Sequence, residues 1–303
     1  MEEWVDRIKI FAGRLVCAFL CLSTLSSPAI ADTNRIEADL KLVLAVDISF
    51  SISPDEQDIQ RRGYVAAFRD PEVIRAITSG FRGRIAVTYL EWAGDDTQVQ
   101  VVPWSLIYDQ NSSLAFADAL EHIKINRKGR TSLSQALGKA AELLRQSPFA
   151  AERHVVDISS DGFNNSGPRV DMLRDTLVYH GVTINGLPLM AGKETGPDAS
   201  LAIYFEDCVI GGYGSFMMPV VRWEEFAATL SRKLILEIAG PVQTPALARI
   251  TKAASTGPAR NKMDCLFGER QNLKEYIQQL ENAVGKDRAP RWMPRDQDWP
   301  MPD

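Results

Sequence analysis

Oxygen-bearing side chains recur at three points where the sequence leaves an apolar run or approaches a helix. The first point is the segment 47–51, Asp-Ile-Ser-Phe-Ser, at the end of the apolar run 41–48. The others are Thr131, just before an amphipathic helical pattern, and Asp161, directly after the apolar-cored run 153–160. The carboxylates and hydroxyls form a set of hard oxygen ligands: Asp47, Ser49, Ser51, Thr131 and Asp161. Few carboxylates with several neutral oxygens favour Mg²⁺ or Mn²⁺ over Ca²⁺.

The elements that must bring these side chains together are strands that alternate with helices. The run 41–48, KLVLAVDI, is typical of a strand buried on both faces of a parallel sheet. Ser53-Pro54-Asp55-Glu56 predicts a capping box and a helix from 54 toward Asp70, where Pro71 should stop it. Further strands are predicted at 83–93, 98–107, 153–160 and 182–190, a glycine-rich turn and short strand at 210–221, and further helices at 112–125, from 131, at 169–181 and at 222–238.

This alternation predicts an α/β fold with a doubly wound, mostly parallel sheet. The strands 83–93 and 98–107 should form a hairpin, and Pro103 indicates that the second of them is an antiparallel edge strand. Ligand sites of open α/β sheets form at the carboxyl ends of the strands. The oxygen-bearing residues therefore fall where a site is expected.

The N-terminal sequence has the layout of a secretory signal peptide. Lys9 and Arg14 precede the apolar run 15–25, and Ala29-Ile30-Ala31 provides a small-x-small cleavage site. The run of 11 residues is too short to span a bilayer. We therefore expect residues 1–31 to be removed, no membrane span afterwards, and a secreted or periplasmic protein. The alternative is an N-terminal anchor or a buried helix.

The predicted domain of residues 40–240 is followed by an irregular extension, 241–303. One helix is predicted at 269–284, and the last 14 residues contain four prolines. Only Cys208 and Cys265 remain after removal of the leader, which makes them a disulfide candidate in an oxidising compartment. The alternative is two reduced, buried thiols. A net charge of −5 and a pI near 5.4 exclude general nucleic-acid binding, which needs a basic face.

At the five oxygen ligands the sequence resembles the von Willebrand factor A family. The metal-ion-dependent adhesion site of that family is D-x-S-x-S, a distant Thr and a distant Asp in a D-G pair. All five occur here in that order, and the resemblance covers about 40–240. The leader, the loop 161–165 and the turn 208–212 resemble a secreted bacterial branch of uncharacterised role. Gly129-Arg130-Thr131 departs from the usual Gly-Gly-Thr, so Arg130 could crowd or repel the metal.

The resemblance implies that Ser49 and Ser51 ligate the metal directly and that Asp47 acts mainly through water. Thr131 and Asp161 would exchange direct and water-mediated contact as the site opens or closes. The implied function is a protein-binding module, not an enzyme, that uses Mg²⁺ or Mn²⁺ to capture an Asp or Glu side chain of a partner. Two alternatives are a divalent-metal phosphoesterase that uses Asp47 and Asp161, and a metal-free structural scaffold.

Overall fold

The computed structural model describes residues 35–124, 126–192, 197–240 and 262–274. The predicted signal peptide lies outside these residues, as do most of the C-terminal extension and the proline-rich tail. The sheet domain is therefore described from just before its first strand to the end of its last helix, together with one short segment of the extension.

Five strands form the main sheet, in the order β4-β3-β2-β6-β7. The β3–β4 pair is antiparallel and the other pairs are parallel. The edge position of β4 agrees with the prediction from Pro103, and the α/β fold with a mostly parallel sheet is confirmed. A separate two-residue parallel pair joins β1 to β5. The strands are β1 Ile36–Glu37, β2 Leu40–Asp47, β3 Ile85–Trp92, β4 Gln98–Ile107, β5 Phe149–Ala150, β6 Arg153–Ser160 and β7 Val182–Pro188.

Helices cover both faces of this sheet. One face packs against α1, α2, α3 and α7, and the other against α4, α5 and α6. All eight residues of β2 are buried, as its apolar sequence predicts for a central strand. The helices are α1 Pro54–Arg69, α2 Pro71–Thr78, α3 Gln110–Glu121, α4 Leu133–Gln146, α5 Val170–Tyr179, α6 Leu201–Tyr204 and α7 Phe226–Ala239, and a π-helical turn, Phe205–Val209, follows α6.

Local signals of the sequence explain the start of α1 and the boundary between α1 and α2. Ser53 and Glu56 form the predicted reciprocal capping box of α1. Pro71 ends α1 but also starts α2, because proline suits the first turn of a helix and Asp70 caps it. The short strand predicted within 210–221 is wrong: this segment pairs with β7 through isolated bridges, such as Gly186 with Met217, and none of its described residues forms a strand. The helical turns between 197 and 209 were not predicted from the sequence.

A disulfide between Cys208 and Cys265 attaches the described part of the extension to the sheet domain. Cys208 is buried in the π-helical turn, and the Cα atoms of the two residues are 5.5 Å apart. Residues 267–274 are helical, so the helix predicted at 269–284 is present over its described part and starts two residues earlier. The rest of that predicted helix lies outside the described residues.

We expect this disulfide to form in the protein isolated under oxidising conditions. Alkylation without reductant should leave both cysteines unmodified, whereas prior reduction should add two alkyl groups to the intact mass. Because the bridge closes a loop of 57 residues, chain-entropy arguments give a stabilisation of about 4 kcal/mol as an upper value. Two alkylated thiols in unreduced, secreted material would contradict the bridge.

No helix among the described ranges is long and apolar enough to cross a membrane.

Candidate metal site

The site lies where two neighbouring parallel strands end. Asp47 is the last residue of β2, and Asp161 directly follows the adjacent strand β6. Parallel pairing places the carboxyl ends of these strands at the same edge of the sheet. The two carboxylates therefore meet although 114 positions separate them in the sequence.

A continuous series of hydrogen bonds connects four of the five predicted ligands. The backbone N–H of Ser49 donates to Oδ1 of Asp47 at 2.7 Å. The hydroxyls of Ser49 and Ser51 are 2.9 Å apart, and the hydroxyl of Ser51 donates to Oδ1 of Asp161 at 2.6 Å. The structure therefore brings Asp47, Ser49, Ser51 and Asp161 together in one cluster of oxygen atoms.

Thr131 lies in the turn before α4, beside the loop that follows Asp161. The next residue, Ser132, caps α4 and bonds through its backbone N–H to the carbonyl of Ala93, just after β3. A Cβ placed on Gly162 would lie 3.4 Å from Oγ1 of Thr131. The hydroxyl of the fifth predicted ligand thus lies against the residue that follows Asp161.

Burial and charge make the carboxylate of Asp47 unusual. Burial raises its pKa to about 7, and the nearby carboxylate of Asp161 adds to the rise, while hydrogen bonds from Ser160 and Ser49 lower it. Two carboxylates held this close repel each other when both are ionised. A divalent cation between them would compensate both charges, so the local electrostatics suit a cation.

The ligand chemistry also fits a hard metal ion. No group of three or more His, Cys, Asp or Glu side chains within the described ranges could hold a metal by itself. The cluster instead combines two carboxylates with hydroxyls, which Mg²⁺ and Mn²⁺ accept together with bound water. Asp47, Ser49, Thr131 and Asp161 are buried, whereas Ser51 is exposed. The cluster is therefore open to solvent on the side of Ser51.

Two side chains that support the cluster were not predicted as site residues. The hydroxyl of Ser160 donates to Oδ2 of Asp47 at 2.5 Å, which occupies the second carboxylate oxygen. Oδ1 of Asn165 accepts a hydrogen bond from the backbone N–H of Thr131 at 3.0 Å, and the N–H of Asn165 donates back to the carbonyl of Thr131 at 2.9 Å. Ser160 and Asn165 both lie within five residues of Asp161. Their partners Asp47 and Thr131 lie 113 and 34 positions away from them in the sequence.

A basic loop, residues 126–130, lies beside the exposed side of the cluster. The backbone N–H of Lys128 bonds to the carbonyl of Ile48 at 3.0 Å, so the loop runs next to segment 47–51. The guanidinium of Arg127 lies 5.5 Å from the ring centre of Phe50, which is 60% exposed, and donates to the carbonyl of the same residue. Arg130 is exposed, and its charge contributes slightly to the lowered pKa of Asp95, which depends mainly on a hydrogen bond from Ser166.

Several solved structures are similar to this chain at low sequence identity. Proximal thread matrix protein 1 from the mussel byssus, solved with a zinc-occupied MIDAS (metal-ion-dependent adhesion site) motif, is 12% identical with a TM-score of 0.44. The match covers 68% of this chain and 49% of that one. A von Willebrand factor type A protein from Catenulispora acidiphila is 13% identical, with coverages of 67% and 43% and a TM-score of 0.48. The pilus adhesin SpaC from Lactobacillus rhamnosus GG is 10% identical, with coverages of 67% and 31% and a TM-score of 0.48.

The present chain spans less than half the length of each of these structures. No protein of curated function matches the chain. Residues 37–242 match the model of a family described as a protein of unknown function, DUF1194, which covers more than half of the chain. The protein belongs to this family.

Proposed function

We propose that the protein is a secreted, metal-dependent binding module that captures an acidic side chain of a protein partner. Asp47, Ser49, Ser51, Thr131 and Asp161 would hold Mg²⁺ or Mn²⁺, and the bound cation would supply the positive charge that attracts a carboxylate. The observation that carries the proposal is the hydrogen-bonded series from Asp47 through Ser49 and Ser51 to Asp161.

The surroundings of the cluster support an acidic partner. Arg127, Lys128 and Arg130 belong to the loop 126–130, and no acidic residue occurs within it. This loop runs next to segment 47–51, so its cations would attract an acidic surface before any ligand reaches the metal. The exposed ring of Phe50 offers an apolar contact beside the cluster. A partner that presents Asp or Glu among further acidic residues would match this rim.

The disulfide between Cys208 and Cys265 supports a location outside the cytoplasm, where such bonds persist. Together with the predicted signal peptide, it favours a secreted or periplasmic protein. The phosphoesterase and scaffold functions remain alternatives.

Metal titration separates the binding module from a metal-free scaffold. We expect one Mn²⁺ or Mg²⁺ per chain by calorimetry on protein stripped with EDTA. Ser51→Ala and Thr131→Ala should each weaken binding about 10-fold or more, because loss of a direct oxygen ligand should cost at least as much as loss of an outer partner. Asp175→Asn removes an exposed carboxylate on α5 and should bind metal like the wild type. Absence of binding to the wild type would leave the scaffold as the remaining non-enzymatic function.

Partner capture tests the second part of the proposal. Envelope proteins retained by the immobilised wild type in Mn²⁺ should be released by EDTA and should not bind the Thr131→Ala variant. Replacement of the contacting Asp or Glu of the partner by Asn or Gln should abolish the interaction. Partner binding that persists in EDTA would contradict a metal-bridged contact. Metal-dependent turnover of a phosphoester panel would favour the enzyme instead.

A further inference from the structure

The described segment of the C-terminal extension packs against the loop that follows Asp161. The ring of Phe267 contacts the buried ring of Phe163, with 4.8 Å between the ring centres. A Cβ on Gly268 would lie only 2.2 Å from the carbonyl oxygen of Asn164, so this approach requires glycine. The disulfide at Cys265 keeps the segment attached at this place.

Polar contacts join the segment to the two asparagines of the loop. Nδ2 of Asn164 donates to Oε1 of Glu269 at 2.7 Å, and Nδ2 of Asn272 donates to the carbonyl of Asn165 at 3.2 Å. Asn164 is fully buried, and its Oδ1 also accepts from the N–H of Ser134 in the first turn of α4. The segment is therefore bonded to the loop at two consecutive residues.

The same asparagines connect the loop to the candidate metal site. Asn165 exchanges two hydrogen bonds with the backbone of Thr131, and Asn164 holds the start of α4 only three residues after Thr131. Asp161 lies at the beginning of this loop, three residues before Asn164. A movement of the loop would therefore shift Thr131 and Asp161 relative to Asp47, at the end of β2, and Ser49, two residues after it.

We propose that residues 262–274 form a disulfide-anchored brace that positions Asp161 and Thr131 and thereby sets the metal affinity. Glu269 and Asn272 are the positioning residues, and neither belongs to the ligand set. The effect on affinity rests on the metal site proposed above. The effect on the loop does not, because the contacts that form the brace involve no metal. Outer partners of metal ligands commonly change metal affinity 10- to 100-fold when they are removed.

Three changes release the brace in different ways: Glu269→Ala, Gly268→Ala, and the double change Cys208→Ser with Cys265→Ser. In the full-length protein in EDTA, each should accelerate hydrogen exchange of the backbone N–H groups of Thr131 and Asn165. Calorimetry should show an Mn²⁺ dissociation constant at least 10-fold higher. Exchange at the central strand β2 should stay unchanged, which shows that the variants remain folded.

Two matched variants test whether any substitution in this segment would have the same effect as loss of the brace contacts. Glu269→Gln retains the acceptor for Asn164 and should stay close to the wild type in both measurements. Arg270→Ala changes an exposed neighbour that pairs only with Asp264 among the ion pairs of the described chain, and it should have no effect.

The two measurements separate the brace from the proposed metal site. If the wild type takes up no Mn²⁺, the metal-binding function fails, and with it the effect of the brace on affinity. Unchanged exchange at Thr131 and Asn165 in all three releasing variants would overturn the brace, whatever the metal result. Faster exchange with an unchanged Mn²⁺ dissociation constant would overturn its role in setting affinity.

Discussion

Asp47→Asn is expected to abolish Mn²⁺ binding and, at the same time, to stabilise the metal-free protein at neutral and alkaline pH. The wild-type carboxylate is fully buried beside Asp161, and its folded pKa is about 7 against an ordinary value of 3.8. At any pH between these two pKa values, the folded state therefore binds more protons than the unfolded state. Its stability falls as the pH rises from about 4 to about 7. Asparagine has the same shape but carries no charge, so the variant should not lose stability in this way as the pH rises.

Urea unfolding in EDTA at pH 8 and pH 4 measures the expected gain. The rise of the Asp47 pKa corresponds to about 4 kcal/mol at most, and we expect a gain of about 2–4 kcal/mol at pH 8 that disappears toward pH 4. Other buried carboxylates also titrate in this range, so the quantity to follow is the difference between variant and wild type.

Excess Mn²⁺ should reverse the order of stability. A free concentration of 1,000 times the dissociation constant stabilises the wild type by about 4.1 kcal/mol, and the variant not at all. Asp175→Asn, which changes an exposed carboxylate, should match the wild type in every condition. Equal Mn²⁺ uptake by wild type and Asp47→Asn, or a variant less stable than the wild type in EDTA at pH 8, would contradict the proposed role of this carboxylate.

Of the single substitutions proposed, Lys233→Met should lower the free energy of unfolding most. The ammonium of Lys233 is fully buried on α7 and pairs with Asp157 of β6 and Glu237 of α7, which are also buried. Although burial alone lowers the pKa of Lys233, the two carboxylates raise it above its ordinary value. Removal of one partner from a buried ion pair commonly costs about 3–5 kcal/mol, because it leaves a charge without compensation.

The pH dependence of this loss identifies its cause. Burial, followed by the repulsion of Asp157, already raises the pKa of Glu237 to about 7 in the intact cluster. Without Lys233 the carboxylate of Glu237 should bind a proton more readily, so the loss of unfolding free energy should be smaller at pH 5 than at pH 8.

The control is Lys139→Met, which removes a partly exposed ion pair with Glu142 and should change the free energy of unfolding by less than about 1 kcal/mol. A loss of similar size for both variants would show that Lys233 is not an essential counter-ion.

The sequence by itself determined the elements of the sheet domain, because its signals there are local. The apolar run of β2, the capping box of α1 and the proline of β4 act over a few residues, and their positions agree with the structure. The same holds for the order of the five oxygen-bearing residues, since they stand at the end of β2, in the segments that follow β2 and β6, or just before α4. The carboxyl-edge rule for α/β sheets then predicts that they converge.

Only the tertiary structure decided which side chains hold these residues in place. Asp157 is conspicuous as a charged residue within an apolar strand. Its partner Lys233, however, lies 76 positions further along the sequence, on α7, the last helix of the domain. Glu269 likewise reaches Asn164 across 105 positions, from a helix of the extension whose own sequence does not indicate this partner. Long-range hydrogen bonds and ion pairs leave no periodic signal in a sequence, because they depend on which surfaces the completed fold brings together.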